Sequence, residues 1–383
     1  MATSLTSAAP IAWGPPHPLL DVPLVTAPEL ARLEDRAAAL LGTQNDTVVL
    51  GAEAVLPLEA ITASLGGPAL EWLNVVTSPY GRVFGDLLRS RGTQVHDVIT
   101  PNNRPVRVEE IETALARWPA INAMAIVHAE SLIGIVNPLE EALALAAGRG
   151  ILTVVDAVAS AGAEPLEVDA LEIDMCVVGP QKGWGGPPGA SVLSVSARAW
   201  DRVMANSAAS RGSVLSLADI KERWIDAGRS RVLGTPPPLE LTALGMAMAR
   251  LEDEGIGAVI ARHRTAAAAT RAGLGALGLE LWVGDERDAC AVATPVRLPA
   301  GTDTSTVLAR VRDQARLELT PGTGELADIA VRIDHMGARA CLPFVSAAVT
   351  ALGVALNGLG AEVDVGGGLA AVARVYEATT SPF

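Results

Sequence analysis

The 383 residues carry 29 Lys and Arg against 43 Asp and Glu, a formal net charge of -14, which disfavours nucleic acid as a partner because phosphate binding rests on clustered cations. Half of the residues are apolar and 19% are charged, which excludes a disordered chain and leaves length enough for two domains, each with its own core. Cys176, Cys290 and Cys341 have no metal or redox spacing and cannot all pair, which fits a reducing cytoplasm; MATSLTSAAPIAW lacks the basic start of a signal peptide, and no run of about 18 uncharged apolar residues predicts a membrane span.

In chain order, short apolar runs alternate with longer Ala- and Leu-rich ones, the pattern of a parallel sheet wrapped by helices. Buried strands are predicted at 47–51, 72–76, 123–127, 151–156, 175–178 and 191–195. A helix is predicted over 57–65, with Pro57 in its first turn where a missing N–H costs nothing, and another over 139–147 after the Asn137-Pro138 breaker. The pattern breaks at Gly234-Thr-Pro-Pro-Pro238, and a long helix over 239–254 then leads into the last part of the chain. The expected organisation is an N-terminal arm (1–45), a large domain (46–240) and a smaller C-terminal α/β domain (241–383).

Ligands of such sheets sit beyond the carboxyl ends of the strands. The run Ile151-Leu-Thr-Val-Val-Asp156 ends on a carboxylate, which by local pattern serves equally as a helix cap. The next buried strand runs into Gly179-Pro-Gln-Lys182-Gly-Trp-Gly-Gly-Pro-Pro-Gly189, where one lysine stands among five glycines and three prolines. Most loop lysines are merely solvated, but a rigid Gly/Pro frame after a buried strand suits a lysine held in a pocket. Desolvation lowers its pKa and lets it attack a carbonyl carbon. A strand-end carboxylate beside such a lysine is what pyridoxal chemistry needs, one to hold the pyridine nitrogen protonated and the other to form a Schiff base.

Here the chain resembles the class V aminotransferases of the fold type I pyridoxal phosphate superfamily, closest to the pyridoxamine–pyruvate and the alanine– or serine–glyoxylate types. The segments that carry the resemblance are Ser78-Pro-Tyr80-Gly81, His128-Ala-Glu-Ser131 through Gly134-Ile-Val-Asn-Pro138, Val155-Asp-Ala-Val-Ala-Ser160, Gly179-Pro-Gln-Lys182 with Gly186-Pro-Pro-Gly189, and Val331-Arg-Ile-Asp-His-Met-Gly337. The resemblance implies a mostly parallel seven-stranded sheet in the large domain. It implies Lys182 as Schiff-base lysine and proton shuttle, Asp156 on the pyridine nitrogen, Val158 against one ring face and Tyr80 on the other. Ser131, Ala54 and Gln181 complete the ring contacts, and Arg332 grips the carboxylate of a small amino or 2-oxo acid. His335 is expected behind the site, with a plain core histidine as the alternative. A cytoplasmic homodimer, or a tetramer built from it, is implied, with Thr235 reaching the partner's ring.

Enzymes of this kind hold phosphate at a helix N-terminus lined with small Gly, Ser or Thr residues. In this chain the turn reads Gly51-Ala-Glu53-Ala54-Val-Leu56, with no hydroxyl and a carboxylate. A glutamate there can simply favour the helix dipole, by about 0.3–1 kcal/mol. A phosphate beside it would be repelled by about 4 kcal/mol at roughly 4 Å in a medium of effective dielectric near 20. Val232 also stands where a phosphate-reaching tyrosine is expected, and Thr323 where the pyridoxamine–pyruvate type has a second arginine. The reading is therefore pyridoxamine and pyruvate (or a similar oxo acid) to pyridoxal and L-alanine, with the B6 ring as substrate. The alternatives are a pyridoxal-5'-phosphate-dependent alanine– or serine–glyoxylate (or pyruvate) aminotransferase, a cysteine desulfurase or β-lyase, and a non-catalytic B6-binding regulator. No metal is expected.

Overall fold

Alternation with a period of two sorts the side chains of the apolar strands onto the two faces of one sheet. The computed structural model describes Leu19 and residues 21–380; the MATSLTSAAPIAW segment, and with it the start of the expected arm, lies outside the described residues. The sheet contains β1 (Asp46–Leu50), β2 (Glu71–Val76), β3 (Gln94–Ile99), β4 (Ala123–Val127), β5 (Leu152–Asp156), β6 (Met175–Val178) and β7 (Ser191–Val195), in the spatial order β1-β7-β6-β5-β4-β2-β3. All neighbours are parallel except at β7, which runs antiparallel to both β1 and β6.

The longer helices are α1 (Ala27–Leu40), α2 (Val55–Leu65), α3 (Pro79–Ser90), α4 (Val108–Arg117), α5 (Leu139–Ala147), α6 (Ala197–Ala205), α7 (Pro238–Glu254), α8 (Ile256–Ala276), α9 (Thr304–Ala315), α10 (Leu342–Asn357) and α11 (Val365–Thr380). Val155, Cys176 and Val178 turn toward the core made with α1, α4, α5 and α7. Their strand neighbours Val154, Met175 and Val177 turn toward the core made with α2, α3 and α6. A sheet covered on both faces needs near-continuous apolar strands, which is why these segments read so clearly. β3 is the exception. It pairs only with β2 at the edge, and its His96 and Asp97 break the apolar pattern.

Helix α7 packs Leu241, Leu244, Met248 and Leu251 into the large-sheet core, so the long linking helix belongs by packing to the larger unit. Gly255, at φ 83°, ends it. The chain then builds a second core from α8 to α11 against an antiparallel sheet of β8 (Ala293–Arg297), β9 (Thr320–Pro321) and β10 (Ala330–Asp334), ordered β8-β10-β9. Among the described residues no helix is long and apolar enough to cross a membrane.

Candidate active site

Strand β5 ends on Asp156, which sits beside Val127 of β4 and Val177 of β6 and is 8% exposed. Its Oδ1 accepts the Val158 N–H at 2.9 Å. Burial pushes the carboxyl pKa up, with the Val158 N–H and the Lys182 charge opposing. Strand β6 delivers the next loop, and its glycines are required by close approach: a Cβ on Gly183 would lie 2.3 Å from the Ala161 carbonyl, and one on Gly179 2.6 Å from Gln181. That frame leads Lys182 to Ser131, whose Oγ accepts from Nζ at 2.7 Å. Burial lowers the Lys182 pKa, with Asp156 and Glu130 pulling the other way.

One cleft is lined by Glu53, Ala54, Tyr80, Asp156, Val158, Gln181 and Lys182, together with Glu130. The sequence-predicted ring residues before α2, on α3, at the end of β5 and just after it, and in the lysine loop thus meet. Tyr80 lies with its ring centroid 5.9 Å from the Lys182 amine. Glu53 Oε2 accepts the Val55 N–H at 2.9 Å, at the first residue of α2, and Oε1 accepts from Gln181 Nε2 at 3.3 Å. The helix begins two residues before its expected start, and the protein's own carboxylate sits on its open N–H end. Gln181 Oε1 and His128 Nδ1 are buried and lack a hydrogen-bond partner among the described residues.

Arg332 comes from β10. Its charge acts on both Lys182 and Tyr80. Asp334 holds its Nε at 2.5 Å and Nη2 at 3.1 Å, and Thr320 Oγ1 donates to the same carboxylate at 2.5 Å. Nη1 is buried and has no partner among the described residues. His335 has both nitrogens engaged, Nε2 with Thr294 at 2.8 Å and Nδ1 with the Ala291 carbonyl at 3.2 Å, and burial lowers its pKa to about 3. It is a neutral core histidine. Thr235 does not line this cleft; it is exposed on the rim of another groove beside Gly51 and Pro237. Val232 packs against the first core, and Thr323 is exposed.

Sequence reasoning did not single out Glu130 or Asp334. Both lay inside quoted motifs, and a carboxylate three residues beyond the end of an apolar strand was the only local signal for the first. Cys176 and Cys290 are fully buried, and burial raises the Cys290 pKa to about 11, while Cys341 is half-buried at the start of α10 and not in the loop a desulfurase thiol needs.

The model of the class V aminotransferase family matches residues 83–315. A pyridoxamine–pyruvate transaminase of Mesorhizobium japonicum is 33% identical over 348 residues, covering 91% of this chain and 88% of that one. An alanine–glyoxylate aminotransferase of Callithrix jacchus is 29% identical over 312 residues, 81% of this chain and 75% of the other. The crystal structure of the pyridoxamine–pyruvate aminotransferase of Mesorhizobium loti superposes with a TM-score of 0.88 at 32% identity, covering 92% and 90% of the two chains. With the lysine loop, the strand-end aspartate and the buried arginine on one fold type I scaffold, the chain belongs to the class V aminotransferases.

Proposed function

We propose that this aminotransferase takes the unphosphorylated B6 ring as its substrate, converting pyridoxamine and pyruvate, or a similar 2-oxo acid, to pyridoxal and L-alanine or the matching amino acid. The observation that carries the reading is the seat of Glu53. A helix N-terminus is the natural phosphate site of such a fold, and here a carboxylate already accepts the first helical N–H. Glu53 is then placed to accept a hydrogen bond from a free hydroxymethyl group, which a phosphate ester cannot donate.

The residues fit a B6 ring: the cleft joins an amine, a buried carboxyl and an aromatic face, and Gln181 Oε1 and Arg332 Nη1 are buried polar atoms without partners among the described residues. When bound, the ring supplies an electron sink. Asp156 binds the pyridine nitrogen and holds its proton. Lys182, whose neutral form burial favours, anchors the ring and moves the proton at the substrate carbon. Val158 and Tyr80 cover the two faces, Ser131 orients the Lys182 amine, and Ala54 and Gln181 close the Glu53 end. Arg332 binds the substrate carboxylate through Nη1.

Titrating pyridoxal and pyridoxal phosphate into wild type and Glu53→Gly tests this. The wild type is expected to prefer pyridoxal, and the variant to move toward the phosphate by up to about 10²–10³-fold, the limit set by the repulsion. Tight phosphate binding by the wild type with no gain in Glu53→Gly would sink the vitamin-substrate reading. A phosphate-dependent amino acid–glyoxylate aminotransferase would then stand, a reading favoured by the exposure of Glu53, which leaves its side chain free to swing off the helix end.

We further take an arm, a large unit and a small unit as the working organisation, supported by the two separate cores, with the boundary between the units moved from the expected 240 to Gly255 because α7 packs into the large-sheet core. A cytoplasmic homodimer, or a pair of them, is the assembly we infer, with Thr235, exposed beside the Gly51 turn and outside its own chain's cleft, serving the partner's ring.

A further inference from the structure

The cleft contains one buried carboxyl that transamination as derived above does not employ. Glu130 is 1% exposed and lines the cleft. Burying a carboxyl is costly unless it is well hydrogen-bonded, and burial raises its pKa to about 8. Its bonding is specific. The Ser78 hydroxyl donates to Glu130 Oε1, and the same Ser78 oxygen accepts the Tyr80 N–H at 3.2 Å as the N-cap of α3.

Glu130 belongs to a two-residue ribbon, Ala129–Glu130 against Ile135–Val136. Asn137 anchors the end of that ribbon, donating to the Val127 carbonyl at 2.8 Å and to Thr77 at 3.1 Å. The very next residue after Glu130 is Ser131, the acceptor of the Lys182 amine.

We propose that Glu130 is a positioning residue: through Ser78 it fixes Tyr80 over the cleft, while its chain neighbour Ser131 fixes Lys182. The spacing between the ring-covering aromatic and the reactive amine is thereby set by one short, pinned piece of chain. This rests on the ring-binding reading of the cleft, and the test separates the two.

The chain has two tyrosines, Tyr80 and Tyr376, so protein labelled with 3-fluorotyrosine gives two fluorine resonances, assigned with Tyr376→Phe. Spectra are recorded without any ring present. Glu130→Met keeps the volume and loses the acceptor, Glu130→Gln keeps an amide oxygen for the Ser78 hydroxyl, and Ser78→Ala cuts the same tether from its other end. The Tyr80 line is expected to narrow and move toward free tyrosine in Glu130→Met and Ser78→Ala and to stay in place in Glu130→Gln, with the Tyr376 line unmoved as the check on folding. Pyridoxal binding in a Lys182→Ala background is expected to weaken about tenfold in Glu130→Met and to recover in Glu130→Gln, as the loss of one buried hydrogen bond implies. A Tyr80 line that stays put in Glu130→Met and Ser78→Ala overturns the tether. Tyr80 freed with ring affinity unchanged overturns the proposal at its ring-binding premise instead.

Discussion

Arg332 shows how a single residue can be prepared for a ligand by what it already holds. Asp334 takes two of its nitrogens, Thr320 braces that carboxylate, and Nη1 remains buried without a partner among the described residues. The planar fork can satisfy Asp334 and a substrate carboxylate at once; an ammonium is a point charge and cannot do both in this geometry. Arg332→Lys is therefore expected to raise the KM for the oxo acid by about 10–100-fold, the equivalent of roughly 1.5–3 kcal/mol for hydrogen bonds to charged groups, with the KM for the ring little changed. Equal effects on both substrates in steady-state kinetics would make Arg332 structural. Lys182→Ala is expected to abolish turnover with the melting curve preserved, because proton movement at the substrate carbon needs that amine; more than a few per cent of wild-type rate would reject its role. The positions of Lys182 and Asp156 at the carboxyl edge of the sheet were legible because a Gly/Pro frame and a strand end mark them, although locally Asp156 read equally as a helix cap and the resemblance chose between the two. Glu130 and Asp334 were not, because what makes them matter is Ser78, 52 positions from the first, and a side chain two positions from the second across β10. No periodicity encodes the first contact, and the second follows from the period of two only once 330–334 is known to be a strand.

At the scale of elements, six of the seven strands of the large sheet could be read from sequence, and burial explains which. The central ones are apolar on both faces, whereas β3 (QVHDVI) is an edge strand whose half-exposed side chains need not be apolar. The small sheet was hidden for related reasons: β8 contains Pro295, and β9 has only two residues. Glu34 is another element-level feature the pattern conceals. It lies on the buried face of α1, where its carboxylate accepts the Trp224 indole N–H at 3.0 Å and the Val49 N–H at 3.3 Å, with Arg229 at 3.6 Å. It thereby staples α1 to β1 and to the π-helical stretch Lys221–Ile225. Burial raises its pKa to about 7, above the value near 4.5 of a free glutamate. A raised carboxyl contributes stability that is fully present below the unfolded pKa and is lost as pH rises through the folded one. The wild type is thus expected to lose up to about 3 kcal/mol from this group between pH 5 and 8. Glu34→Gln keeps an oxygen for Trp224 and removes the titration, so its denaturant-unfolding free energy is expected to fall less over that window. Parallel curves for the two proteins would show that Glu34 carries no such linkage.

For the whole molecule, the question is how the small unit, which supplies Arg332, is kept in register with the large unit, which supplies Lys182. Polar ties contribute: Arg107 is bidentate to Asp288 at 2.7 and 2.8 Å, and the Trp282 N–H reaches the Asn102 carbonyl at 2.7 Å. The tighter constraint lies next to the lysine. Gly337, five residues after Arg332, packs backbone to backbone on the lysine loop, at φ 58°. A Cβ there would lie 2.9 Å from Gly185 Cα and 3.1 Å from the Lys182 carbonyl oxygen. Neither neighbour is the far end of a flexible side chain, so the two loops would have to separate. The Gly337 N–H also donates to His263 Nε2 at 2.9 Å, and the Gly337 carbonyl accepts from Arg262 at 2.7 Å, which leaves the turn little freedom to relax on its own side. Gly337→Ala is accordingly expected to cost about 1–3 kcal/mol in unfolding free energy, from the left-handed backbone and the forced displacement together. Because the displacement acts on Lys182 and Arg332 as a pair, kcat and the KM for the oxo acid are both expected to worsen, while the ring alone still binds Lys182. Gly150→Ala supplies the control: it has a comparable positive φ of 65° with open space around the added Cβ, so it carries the backbone strain without the clash. If the two variants lose the same stability and keep the same kinetics, the glycine seam does not set the register between the units, and the Arg107–Asp288 tie becomes the element to cut next.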